Sequence, residues 1–239
     1  RLGSPHRPHL SMQRLHRRSI DGLADRNSGA VFADLHFSQC VFDDCVLSVT
    51  DDPSLRSTIR NVRLDDCSVR SVGIYAAAVE DTVISNLKTR GLLQTWGTVF
   101  SRVTLQGKIG RLMLSSRLGG LIPDETQRAF DQANQEYYRH VDWALDISQA
   151  RFHELDIRGI PARLIRRDPR TQVVITRQKA IQGIWRQHRF KSLAAAYIKG
   201  LLYEGHADVV VVVPRLWPLS WAFAHDLARL RDLGVAEPD

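Results

Sequence analysis

Cysteine is scarce in this chain of 239 residues: Cys40, Cys45 and Cys67 are the only three. An odd, sparse set does not suit a disulfide-stapled secreted scaffold. No run of about 18 uninterrupted apolar residues occurs, so no membrane-spanning helix is expected. The stretch Arg1 to Pro8 has neither an apolar core segment nor a small-residue cleavage site, and a reducing, cytoplasmic setting is expected. Phosphate-binding loop, dinucleotide glycine fingerprint, zincin helix and Gly-x-Ser-x-Gly elbow are all missing. The sequence therefore nominates no catalytic residue, no cofactor and no metal ligand.

What is present is ordinary in bulk and uneven in detail. Hydrophobic residues make up 44% and charged residues 25%, which suits a folded globular protein. The net charge of +7 is not spread evenly. Residues 1–30 carry +4, residues 121–160 carry −4, and residues 161–204 carry +8. A concentrated basic block can mark a phosphate-binding or acidic-partner surface, or a solvated face that balances the acidic block before it.

Periodicity decides the fold. Phe32, Phe37, Phe42 and Leu47 recur every fifth residue, each preceded at two places by Ala30, Leu35, Cys40 and Cys45. The register resumes at Leu64, Val69, Ile74, Val79 and Ile84, with Val62, Cys67, Val72, Ala77 and Thr82 before them. Further pairs follow at Val103/Leu105, Gly107/Ile109 and Leu112/Leu114, then at Leu145/Ile147, Ala150/Phe152, Leu155/Ile157 and Ile160/Ala162. A period of five fits neither a helix at 3.6 nor a flat strand at 2. It fits a chain that turns a corner in every repeat and points two apolar residues at a common axis, as in a solenoid. Breaks at 48–61 and 90–97, with Pro53 and Gly97, suggest loops.

The runs Cys40-Val-Phe42-Asp-Asp44-Cys45-Val-Leu47 and Leu145-Asp-Ile147-Ser-Gln-Ala150-Arg-Phe152-His-Glu-Leu155-Asp-Ile157 resemble the pentapeptide-repeat family. That resemblance covers about half the chain. It implies a mainly β fold, a right-handed parallel β-helix of quadrilateral section, here with roughly 15 to 18 pentads in four to five coils. At about 4.8 Å per coil the stack would be about 20 Å tall.

Residues 124–142 read as a helix inserted in the repeats, with Ala129, Phe130, Ala133, Tyr137, Val141 and Ala144 as its apolar stripe. After Ala162 the pattern changes to a small α/β appendage. Gln172 to Thr176 suits a short strand, and Gln178–Trp185 and Lys191–Tyr203 have helical spacing, the latter with Leu193, Ala194, Tyr197, Ile198, Leu201 and Leu202 on one side. Val209–Val213 reads as a buried strand, and Leu219–Leu233 as a final helix with Phe223, Leu227 and Leu230 inward. The organisation expected is a basic N-terminal tail or cap at 1–29, the interrupted repeats at 30–163, and a C-terminal cap or interaction region at 164–239.

Candidate chemistry is thin. The cysteines fill small inward slots of the repeat and read as buried hydrophobes. Asp43-Asp44, Asp51-Asp52 and Asp65-Asp66 could bind a cation or do acid–base work, and two of these pairs fall on outward positions of their pentads, where a solvated surface accounts for them. His153-Glu154 and His140-Val-Asp142 have no nucleophile motif nearby. Arg163, Arg166, Arg167, Arg170, Arg177, Arg186, Arg189 and Lys191, interleaved with Trp185 and Phe190, are the candidate contacts for nucleic acid or an acidic partner. The leading expectation is a non-catalytic interaction scaffold whose partner is another protein. The alternative is nucleic-acid binding through 163–199. An enzyme, or a DNA-mimicking, topoisomerase-interacting protein of the kind the family includes, fits less well, since mimicry needs an acidic face and the repeat block is near neutral. A homodimer through the coil ends is a further expectation, because open sheet edges invite pairing.

Overall fold

The computed structural model describes residues 12–238. Its dominant feature is an 11-stranded parallel sheet. The strands are β1 (Gln13–His16), β2 (Ser19–Asp21), β3 (Ala24–Arg26), β4 (Val31–Ser38), β5 (Val41–Val49), β6 (Thr58–Asp65), β7 (Ser68–Tyr75), β8 (Ala78–Trp96), β9 (Val99–Ser115), β10 (Leu145–Arg158) and β11 (Ile165–Arg166). Helix α1 (Asp124–Arg139) interrupts them between β9 and β10. The C-terminal part holds β12 (Gln172–Thr176), α2 (Arg177–Gln182), α3 (Ala194–Glu204), β13 (Asp208–Val212) and α4 (Ser220–Asp232), with β12 and β13 paired antiparallel. Among the described residues no helix is long and apolar enough to cross a membrane.

Register follows the sequence period. Ala78 pairs with Thr58 behind it and Val99 ahead of it, a stride of 20 and then 21 residues. Equivalent repeat positions therefore lie side by side: Leu15, Phe37, Leu64, Ile84 and Leu105 form one such row. Phe32, Ile59, Val79 and Phe100 form another. Two insertions lengthen the stride without breaking the row. Leu35 pairs with Val62 across the first, and Val103 pairs with Leu145 across the second, which contains α1.

A left-handed backbone recurs every fifth residue, at Asp34, Gln39 and Asp44, then at Asn61, Asp66, Ser71, Ala76, Asp81 and Asn86. Asp and Asn tolerate this conformation best among residues with a side chain, which explains their frequency there. The series runs on through Gly91, Gly97 and Arg102 to Gly107, at φ +73°, where a Cβ would lie 2.2 Å from Asn86 Oδ1. That oxygen accepts the Lys108 N–H at 2.9 Å, so the row closes through a side chain as well as the ladder.

Cys40, Cys45 and Cys67 are buried inward, and burial pushes the Cys67 thiol up to about 11. Several outward acids are neutralised, from a neighbouring row or from their own strand. Asp43 is paired with Arg70, Asp81 with Arg102 at 2.6 Å, and Asp65 with Arg63 at 2.6 Å and His36 at 2.7 Å. Asp52 instead caps the short 3-10 turn Pro53–Leu55 by accepting the Ser54 N–H at 2.8 Å.

Several expectations need correction. Residues 13–26, placed in a tail or cap, form β1 to β3 and extend the sheet, pairing with β4 and β5; residues 1–11 lie outside the described part. The loop expected at 90–97 is strand up to Trp96, because Leu92 to Thr95 stay paired with Arg111 to Leu114 and the slip is absorbed as a register shift. The break at 48–61 is a loop only in its middle, since β5 runs to Val49 and β6 starts at Thr58. Helix α1 ends at Arg139, and its buried side is Gln127, Phe130, Asn134 and Tyr138, while Ala129 is exposed. The polar members belong there because they satisfy loop backbone: Gln127 Oε1 accepts the Leu118 N–H, and Asn134 Nδ2 donates to the Ser116 carbonyl. Asn134 Oδ1 also takes a hydrogen bond from Arg56 at 2.6 Å, and the Arg56 guanidinium lies 5.6 Å from the Phe130 ring centroid. The two insertions thus hold each other.

Strand β13 joins the two apolar cores. Val210 and Val212 pack with the sheet interior, while Val209, Val211 and Val213 pack with Ile198, Leu201, Phe223, Leu227 and Leu230 of the helices. Burial on both faces is why this stretch reads as a continuous apolar run.

Candidate functional site

The eight basic residues singled out above do not form one surface. Arg163 and Arg189 are exposed. Arg166 places its guanidinium 4.2 Å from the Trp143 ring centroid, and Arg186 lies 5.2 Å from that of Trp185. Arg177 donates to the carbonyls of Leu201 and Leu202, at 3.4 and 3.2 Å, and so closes the C-terminal end of α3. Arg167 donates to the Gln172 carbonyl at 3.0 Å, and Arg170 pairs with Asp168 at 3.0 Å. Lys191 Nζ sits 5.7 Å from the Trp221 ring centroid. The stretch is dispersed because it alternates between strand, two helical turns and loops, so neighbours in sequence point to different sides. Arg167 and Arg170 line one hollow, together with Arg151 and Arg215.

A different surface emerges around Lys191. Helix α2 stops at Gly183, in the left-handed region at φ +76°, and Ile184–Gln187 continues as a 3-10 turn that buries Trp185. The Trp185 indole N–H donates to the Ala180 carbonyl at 2.8 Å. The chain then reaches Lys191 and Ser192, which are held from α4 by buried Asp226. Its carboxylate accepts the backbone N–H of Lys191 at 3.1 Å, that of Ser192 at 2.6 Å, and the Ser192 hydroxyl at 2.6 Å. Burial alone would raise the Asp226 pKa; these donors outweigh it and hold the carboxyl below the usual range.

Asp226 braces the residues just before α3, where the Ser192 hydroxyl accepts the Ala194 N–H at 3.1 Å. The N-cap of α3 is Leu193 and that of α4 is Leu219, and neither offers a side-chain hydrogen bond. Ser, Thr, Asp or Asn would be favoured at both places. Both leucines are exposed instead, at 60% and 55%, beside Trp221 at 58%. Helical spacing puts Leu193 on the inward side of α3; it faces out because it precedes the first turn. Ile181, Ile184, Tyr203 and Trp217 add to the exposed apolar side chains of this part of the chain. Below it, Phe223 meets Tyr197 edge to face at 6.3 Å between centroids, which anchors the start of α4 on α3.

Two depressions adjoin this face. One of about 480 Å³ is lined by Arg186, His188, Phe190, Ser192 and Lys199 with Trp185 and Ala195. The other, about 190 Å³, lies between β10 and α3 and includes Leu193, Tyr197, Arg158, Glu204, His206 and Asp208. Its charged groups are closed on one another: Arg158 reaches Asp156 at 2.6 Å and Glu204 at 2.7 Å, and Glu204 reaches His206 at 2.8 Å. Burial would raise the Glu204 pKa, and His206 and Arg158 together hold it down. Asp208 is pushed up by burial while accepting the Ala162 N–H at 3.0 Å. This network is a bracket between sheet and appendage. His140 and Glu154 are likewise engaged, with Glu136 at 3.0 Å and Arg111 at 2.7 Å. Among the described residues no group of three or more His, Cys, Asp or Glu side chains could hold a metal ion.

Sequence reading missed the Leu193–Leu219–Trp221 face. The available signal was local: an apolar residue at each helix start, where the chain around it offers a serine or a polar alternative. Compared with family models, curated proteins and solved structures, the chain matches none of them.

Proposed function

We propose that this protein is a non-catalytic interaction scaffold. In this reading the parallel sheet is a right-handed β-helix of the pentapeptide-repeat kind, and the C-terminal part carries the contact surface. The fold reading is supported by the stride of 20 or 21 residues between paired strands and by the left-handed residue at every fifth position. The observation that carries the function is the pair of exposed leucines at the starts of α3 and α4. Apolar side chains stand exposed at two helix starts without a packing gain, and such departures concentrate at functional sites. Exposed apolar side chains with Lys191 over Trp221, and with Arg186 and Lys199 lining the depression at Ser192, suit an amphipathic partner segment with an acidic rim. Nucleic acid is the weaker reading, because the arginines are dispersed and two already stack on tryptophans.

The test is affinity capture from the source lysate, after nuclease, with the full chain and with a Leu193→Glu/Trp221→Glu variant. A protein retained by the former and lost by the latter is expected, with affinity falling at least 30-fold, as for truncation of a hot spot. Capture that disappears on nuclease treatment, or that the variant leaves unchanged, would overturn the proposal.

A further inference from the structure

Arg151, Arg167, Arg170 and Arg215 surround an open hollow of about 490 Å³, together with Ser148, Gln149, Asp168 and Pro169. It shares no residue with the Leu193–Trp221 face. Three stretches far apart in sequence build it: the outer side of β10, the turn before β12, and the residue two places beyond Val213. Asp168, the acid of this lining, is already paired with Arg170, which leaves Arg151 and Arg215 to give the hollow its positive charge.

Its frame is fixed. The turn is clamped by Gln172, which is buried: its Oε1 accepts the Asp168 N–H at 3.0 Å and its Nε2 donates to the Ile147 carbonyl at 3.0 Å. Asp168 Oδ1 accepts the backbone N–H of Arg170 at 3.1 Å, and Arg231 donates to the Pro169 carbonyl. On the opposite side β10 slips register between Asp146 and Gln149, and Asp146 holds Ser148 through its N–H at 3.1 Å and its hydroxyl at 2.7 Å. Arg170 foremost, and Arg215 more weakly, keep the Asp168 carboxyl below the usual range, which puts Arg215 within electrostatic reach of the turn. Arg151 and Arg215 are exposed and make no hydrogen bond or ion pair with a described residue.

Cations left unpaired on a rigid frame destabilise the free protein by mutual repulsion and favour an anion that satisfies several at once. Guanidinium forks bind phosphoryl oxygens in pairs. The hollow is compact and concave and lacks the extended stripe that a duplex backbone needs. The geometry points to a binding site for the di- or triphosphate group of a small molecule, held by Arg151 and Arg215 with Arg167 and Arg170 completing the cradle.

The experiment is calorimetric titration of the full chain with inorganic pyrophosphate and tripolyphosphate at low ionic strength. Citrate and a 20-base-pair DNA duplex are run as comparison ligands. Expected are saturable 1:1 binding of the polyphosphates, at least tenfold weaker binding of citrate, and at least 30-fold weaker polyphosphate binding in Arg151→Ala/Arg215→Ala. Both substituted side chains are exposed and unpaired, so that variant should melt at the wild-type temperature without ligand; Arg186→Ala, outside the hollow, should bind as wild type. The assignment is overturned if polyphosphates do not bind below 1 mM, if the double variant binds them equally well, if citrate binds more tightly, or if the duplex binds and pyrophosphate does not displace it.

Discussion

Removing the Asp226 carboxylate should loosen the start of α3 and the contact face with it. Three donors of the preceding stretch converge on this one buried acceptor, the backbone N–H of Lys191, the backbone N–H of Ser192 and the Ser192 hydroxyl, and His225 Nδ1 lies 3.3 Å from it. Hydrogen bonds to a charged group contribute about 1.5–3 kcal/mol each, and they are not additive when they share an acceptor. Water can reach Lys191 once the carboxylate is gone, which offsets part of the loss. Asp226→Ala should therefore cost about 3–4 kcal/mol, and Asp226→Asn, which keeps one acceptor oxygen but turns an amide toward the donors, about 2 kcal/mol. For a chain of this size that corresponds to a drop in melting temperature of about 6–16 °C for the alanine variant. Because the folded-state pKa of Asp226 lies below its unfolded value of about 3.9, its contribution is complete above roughly pH 5 and fades as pH falls through the depressed folded value. The gap between wild type and Asp226→Asn, measured by urea unfolding followed by circular dichroism, should be constant from pH 7 to 5 and close below about pH 4. An alanine variant within 0.5 kcal/mol of wild type, or a gap that does not change with pH, would refute the reasoning.

Three further outcomes follow from the fold. Ser71, exposed at φ +51°, should gain about 0.5–1 kcal/mol on replacement by Gly and lose about 1–2 kcal/mol on replacement by Val, read as opposite shifts of the urea midpoint. Arg56→Ala should lower stability by about 1–3 kcal/mol, since it strips the donor from Asn134 and the Gly97 carbonyl, and proteolysis should then cut the 116–123 connection faster. Phe152→Ala, at a fully buried ring whose own carbonyl accepts the Leu216 N–H, should cost about 3–5 kcal/mol by thermal melting.

Much of this fold is legible in the sequence, and its limits are physical. The five-residue spacing of Phe32, Phe37 and Phe42 announces which side chains share a row, because every row repeats the same contact. It does not announce how a row absorbs a slip, so Leu92 to Thr95 looked like a loop and are paired strand. Nor did it reveal β1 to β3, where Leu15 and Ile20 keep the spacing and pair with Phe37 and Phe42 but the next place holds the buried Asp25, so two apolar members are too few to stand out. On α1 the apolar stripe misled by one position, since Gln127 and Asn134 are drawn inward by backbone groups that only the fold brings near. The candidate site was least legible. Positive charge along 163–191 is a property of the chain, while Arg151 and Arg215, which line a hollow with Arg167 and Arg170, lie outside that stretch. Leu193 reads as an ordinary member of a helical stripe, and Trp221 lies in the last helix outside its inward set, yet both are exposed.

Strand β13 sets how the protein can be divided. Its alternate valines serve two different interiors, so a cut that leaves the parallel sheet without residues 208–212 strips Val210 and Val212 from the sheet interior, and a fragment beginning at 164 exposes the same pair to water. Neither half keeps a complete apolar interior. Truncation at the visible change of sequence character should yield two aggregating pieces, and productive expression or trimming would have to respect a boundary that the chain crosses twice.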